Sequence, residues 1–201
     1  MAKTLQDLDS VVETLGARLS VRILWQGEEL DRLLDRDHAG MVDATLRQLE
    51  PSGWAAIPEV TFQAAGERGS IDVLAWHAVT ETLLVIEVKS VVPDIQATLA
   101  GLDRKARLGP LVGRERGWVA RHVARVLILP ADRTCRRRVD AFAATFDRVL
   151  PARTAAVKRW LRSPTGPLAG ILFLSDLPPK QARQRVRRSH AAAERGRAPG
   201  P

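Results

Sequence analysis

Cysteine occurs once in the 201 residues, at Cys135, so no disulfide can form within the chain. Histidine occurs four times, scattered, and the Cys/His spacing of a structural zinc site is missing too. Tyrosine is absent, and the five tryptophans, Trp25, Trp54, Trp76, Trp118 and Trp160, are dispersed. A platform for stacking single-stranded bases needs clustered aromatics, so these are expected in core or domain-edge packing. No run reaches the roughly 18–20 apolar residues of a membrane span. The N-terminal residues lack the apolar centre of a signal peptide. A soluble, cytoplasmic protein with no membrane partner is expected.

Excess charge is also scarce over most of the chain. The net charge is +8, but 180–201 carries seven Lys/Arg against Glu194 alone, which leaves +2 for the rest. The basic character belongs to the tail, where it suits either a solubilising disordered end or a phosphate-holding segment. The hydrophobic fraction of 45% is enough for a buried core.

Apolar periodicity gives the organisation. Leu5, Leu8, Val11, Val12 and Leu15 predict a helix over 4–19 that stops at Gly16, followed by a strand over 19–25. A second helix is predicted over 28–49, with a break near Asp35-Arg36-Asp37, before a turn at Pro51-Ser52-Gly53. Strands are predicted over 56–63, 69–76 and 83–90. A helix capped by Asp94 follows and ends near Gly109-Pro110. Next come a strand over 123–130, a helix over 132–150, a helix over 152–162 and a strand over 168–174. The expected units are a lead-in helix and strand over 1–24, an α/β domain over 25–177 and a basic disordered tail over 178–201. Three successive strands with helices before and after them imply a mixed sheet covered on both faces.

Charge within this pattern stands out at Asp72, on the second strand of the domain, and at Glu87 and Lys89 in the apolar run Leu83-Leu84-Val85-Ile86-Glu87-Val88-Lys89-Ser90. Buried charge costs several kcal/mol unless it is paired, hydrogen-bonded or bound to a metal. A symmetric hairpin centred between residues 79 and 80 sets Asp72 opposite Glu87, with Cβ atoms about 4.5–5.5 Å apart. Lys89, two residues on, shares the face of Glu87. Two adjacent carboxylates repel, and a divalent cation between them removes the repulsion. All-oxygen ligands favour Mg²⁺, which keeps waters and also binds phosphate. Such an ion activates water against a phosphodiester, and a nearby ammonium offsets charge in the transition state. The alternative is an ordinary ion pair at a strand end, with Asp72 capping a turn.

Asp72, fourteen intervening residues and then Glu87-Val88-Lys89 resemble the PD-(D/E)XK nuclease motif, preceded by a glycine-bearing approach, Gly66-Glu67-Arg68-Gly69-Ser70-Ile71. The resemblance covers roughly residues 37–131 and lacks the common proline just before Asp72. It implies a restriction-endonuclease-like fold, an αβββαβ core with flanking helices, and Mg²⁺-dependent cleavage of DNA. The implied roles are Asp72, Glu87 and the Val88 carbonyl for the metal, and Lys89 beside the attacking water. Members that add an acid from the first helix or first strand point to Asp43 or Glu59 here. Gln96 resembles a glutamine that some subfamilies carry on the following helix, although Ala100 stands where its aromatic partner is expected. Arg104, Lys105 and Arg107 on that helix are candidates for lining a DNA groove, and a homodimer is left open.

The segment over 4–19 resembles the last helix of a lambda-repressor-like helix-turn-helix domain, where an apolar helix ends in Leu-Gly and runs into a strand. That resemblance implies a relative of a two-part regulator. The alternative function is therefore a non-catalytic DNA-binding or transcriptional regulatory protein that keeps the nuclease-like scaffold. Arg136-Arg137-Arg138 opens a predicted helix, where cations oppose the helix dipole. A solvated face or a phosphate contact would each account for it.

Overall fold

A computed structural model describes Thr14 and residues 28–92 and 94–175, with the backbone alone for 28–34. Of the helix predicted over 4–19, Thr14 is helical. The remainder of that helix, the strand over 19–25 and the basic tail over 178–201 lie outside the described residues.

The first helix, α1 (Glu28–Leu49), buries Met41, Val42, Thr45 and Leu49 along one side. It runs without the break expected near Asp35. A 3₁₀ turn over Glu50–Ser52 ends at Gly53, whose φ of 76° suits glycine. Three strands follow: β1 (Ala55–Ala64), β2 (Glu67–His77) and β3 (Thr82–Val88). Then come α2 (Ile95–Arg114), β4 (His122–Pro130), α3 (Arg133–Ala141), α4 (Ala143–Val149), α5 (Thr154–Arg162) and β5 (Ala169–Leu174).

The five strands lie side by side in sequence order. β1, β2 and β3 pair antiparallel, while β4 and β5 add in parallel. The sheet is therefore mixed, as expected. All seven residues of β3 are buried, which is why this central strand reads as a continuous apolar run. On one face, α2, α3 and α4 cover Leu83, Val85, Leu127 and Leu129. On the other, α1 and α5 cover Leu84, Ile86, Val126 and Ile128.

Three predicted boundaries are corrected. α2 continues through Gly109-Pro110 to Arg114. Proline removes one helical hydrogen bond, but Leu108, Gly109, Val112 and Gly113 are buried, and that packing holds the last turn in place. The helix predicted over 132–150 divides at Phe142 (φ −123°, ψ 31°). The bend leaves Phe142 exposed while Cys135, Val139 and Phe146 stay buried. The last helix begins at Thr154, because Ala152 instead forms a parallel bridge to Gly170.

Candidate active site

The sheet register brings the three charged residues together. β2 and β3 pair from His77↔Thr82 to Val73↔Ile86, a register centred between residues 79 and 80 as the hairpin symmetry predicts, and Asp72 and Glu87 are the residues just beyond its last pair. The ladder changes character there. Ile71 and Leu74 pack in the same layer, under α2, although they are three residues apart. In a regular strand they would point to opposite faces. β1 shows the same switch between Ile57 and Val60, around Glu59, whose φ is 50°. A left-handed conformation costs an L-residue about 1–2 kcal/mol. At this paired distortion, Asp72 Oδ2 accepts a hydrogen bond from the Val88 N–H of β3 at 2.7 Å.

Asp72 and Glu87 are both buried. Lys89 lies one residue past β3, held by its own N–H, which donates to the Ile128 carbonyl at 3.0 Å. Its Nζ sits 2.7 Å from Glu87 Oε1. Burial acts to lower the Lys89 pKa, but the hydrogen bond to Glu87 and the charges of Glu87 and Asp72 outweigh it, and the pKa is raised above the usual 10.5. Lys89 is therefore an ammonium at neutral pH and has no lone pair to accept a proton.

The fourth member is Lys105, which reaches down from α2. Its Nζ donates to Asp72 Oδ1 at 3.2 Å and also to Glu87 Oε2. Lys105 was expected to line a groove; its side chain is instead only 12% exposed and joins the two carboxylates. A signal for this existed in the sequence. Leu102, Ala106 and Gly109 are buried on α2, and Lys105 interrupts their stripe. A cation on an apolar helix face needs an anion beneath it. Two carboxylates and two ammonium groups thus form a cluster of zero formal charge.

The other predicted positions lie elsewhere. Asp43 is exposed on α1, and Gln96 is exposed in the first turn of α2. Glu59 contacts His38 Nε2 at 3.3 Å. Among the described residues, none of these three makes a hydrogen bond or ion pair with Asp72, Glu87 or Lys89. Arg107 pairs with Glu67 at 2.6 Å, and Arg104 lies 3.9 Å from the same carboxylate. Asp94 caps α2, accepting from the Ala97 N–H at 3.0 Å. The Arg136 guanidinium lies 4.6 Å from the centre of the Phe173 ring, and that of Arg138 lies 5.9 Å from that of Phe142. Four of the five tryptophans pack as expected: Trp54 lies 5.6 Å from Trp160, and Trp76 stacks on Trp118 at 6.3 Å; Trp25 lies outside the described residues.

Among the described residues, no group of three or more His, Cys, Asp and Glu side chains is arranged to hold a metal. The donors at hand are Asp72 Oδ1 and Glu87 Oε2, two carboxylate oxygens that converge on one cation, the Lys105 ammonium. Oxygen donors converging on positive charge fit a small hard cation that keeps part of its water shell. No helix among the described residues is long and apolar enough to cross a membrane. No known family model matches this chain, and none of the curated proteins is similar to it.

Proposed function

We propose that the protein is a Mg²⁺-dependent deoxyribonuclease of PD-(D/E)XK type that hydrolyses phosphodiester bonds. The observation that carries this reading is the convergence of two buried carboxylates, from adjacent strands, on one point of positive charge, with Lys89 beside them. Asp72, Glu87 and the Val88 carbonyl would hold the ion. Bound Mg²⁺ supplies polarisation of water and neutralisation of phosphate charge. The Val88 N–H fixes Asp72 by one oxygen and leaves the other directed into the site. Glu87 is steadied at Oε1 by Lys89. Lys89, held as an ammonium, donates to a phosphate oxygen or to the attacking water and stabilises the charge that builds up on phosphorus.

The test is plasmid nicking by the purified protein with Mg²⁺. Asp72→Asn should abolish cutting, and Lys89→Met should slow it by about 10²–10³-fold, the usual effect of losing one such donor. Asparagine is preferable to alanine because its amide oxygen still accepts from Val88. Asp72→Ala would leave that N–H and Lys105 short of a partner, at a cost of about 3–5 kcal/mol.

A specific observation also favours a second reading, a non-catalytic DNA-binding or regulatory protein on the same scaffold. Lys89 and Lys105 already balance both carboxylates, so the folded site is neutral without a metal. Binding of DNA without cleavage of any nucleic acid, with Mg²⁺ present, would establish that reading over the first.

A further inference from the structure

Lys105 is held in a way that Lys89 is not. Lys89 contacts one oxygen of Glu87 from the solvent side, with 38% of its side chain exposed. Lys105 descends from the buried stripe of α2 and touches one oxygen of each carboxylate. An ion bound to Asp72 Oδ1 and Glu87 Oε2 at Mg–O distances of about 2.0–2.1 Å would lie within the space that the Lys105 ammonium fills. Two positive centres there would also repel in a site with little water to screen them. We infer that Lys105 is a tethered counter-cation that competes with a divalent cation for Asp72 and Glu87, so that metal binding requires Lys105 to leave. This inference rests on reading the two carboxylates as a cation site.

The competition has a defined consequence. The metal-free site is neutral and stable, and the intrinsic affinity of the carboxylates for a divalent ion is reduced by the work of displacing Lys105. The flexible four-carbon stem of lysine makes displacement feasible without moving α2. A displaced ammonium beside the site is then available to a phosphate oxygen of a bound nucleic acid, which would couple substrate binding to metal binding.

The experiment measures Mn²⁺ binding to the full chain by titration calorimetry, for the wild type, Lys105→Met and Asp72→Asn. Lys105→Met should bind Mn²⁺ at least about fivefold more tightly than the wild type, within the range usual for coupled sites, and Asp72→Asn should lose binding. Equal affinity in the wild type and Lys105→Met, with binding still lost in Asp72→Asn, overturns the competition and leaves the cation site standing. No saturable binding in either overturns the cation site itself. Should Lys105→Met fail to fold, the wild type decides alone, by acetic anhydride labelling of Lys105 read by mass spectrometry. Labelling should accelerate when Mn²⁺ is added, and an unchanged rate overturns the inference.

Discussion

At the scale of the residue, the site is governed by how each charge is compensated. Lys89 illustrates it, because its pKa is raised by Glu87 and Asp72 against the pull of burial. The sign of the linkage follows. A lysine whose folded pKa exceeds its unfolded value adds stability that is fully present below the unfolded value and is lost as pH rises through the folded one. The metal-free protein should therefore weaken on the alkaline side, above the usual lysine value of 10.5. Lys89→Met should flatten that limb relative to the wild type, in urea midpoints taken at steps from neutral to alkaline pH. Parallel curves for the two proteins would show that Lys89 contributes nothing through its charge. The identity of the charged residues was legible in the sequence, since Glu87 and Lys89 interrupt the apolar run over 83–90 and hairpin symmetry points to Asp72 on the preceding strand. The role of Lys105 was less legible. Spacing marks Lys105 as a cation within the apolar stripe of α2, but which anions it meets depends on the rotation of α2 over the sheet, which tertiary packing fixes.

At the scale of the element, the placement of Lys105 depends on how closely α2 lies on β3. A Cβ on Gly109 would stand 2.8 Å from Val85 Cγ2 and 3.4 Å from Leu83 Cδ2, whereas one on Gly101 would meet nothing within 4 Å. Gly101 and Gly109, eight residues apart on α2, should thus respond in opposite directions. Gly101→Ala should stabilise the protein by about 1 kcal/mol through helix propensity. Gly109→Ala gains the same propensity but must push α2 from a stiff valine, at a cost of about 1–3 kcal/mol. It should lower the denaturation midpoint and, by shifting Lys105, loosen the carboxylate cluster. A gain at both positions would show that the approach of α2 to β3 is not tight. This close approach is also why the sequence misplaces the end of α2. Gly109-Pro110 is a standard stop signal, and here the glycine serves the contact with β3, while burial of Leu108, Val112 and Gly113 carries the helix past the proline. The strands were more legible, because short apolar runs bounded by turn residues mark them, and hairpin symmetry sets the register of β2 against β3 without reference to the rest of the fold. The face switch at Glu59 and Asp72 was not legible. It is a backbone distortion at a non-glycine residue, and side-chain pattern carries no mark of it.

At the scale of the whole molecule, the question is where a polyanion would find its charge. The sequence outside 180–201 has a net charge of only +2. Part of the basic surface near the site is already engaged, since Arg107 pairs with Glu67 and Arg104 lies near the same carboxylate. Both lysines of the site face carboxylates as well. If DNA is the partner, most of the sequence-independent attraction should come from 180–201, with its seven Lys/Arg. Each phosphate neutralised contributes about 0.9 to the slope of log K against log salt. A chain ending at residue 177 should therefore bind duplex DNA more weakly at low salt, with a slope reduced by up to about 6. It should keep its fold, because the last described strand is complete at Leu174. Fluorescence anisotropy over a salt series measures the slope, and circular dichroism checks the fold. The proposed Mg²⁺-dependent cutting should survive truncation at saturating DNA, because Asp72, Glu87 and Lys89 all belong to the sheet or its edge. An unchanged slope would place the phosphate contacts on the α/β domain in spite of its small net charge. The exposed arginines of α3 would then be the first to replace.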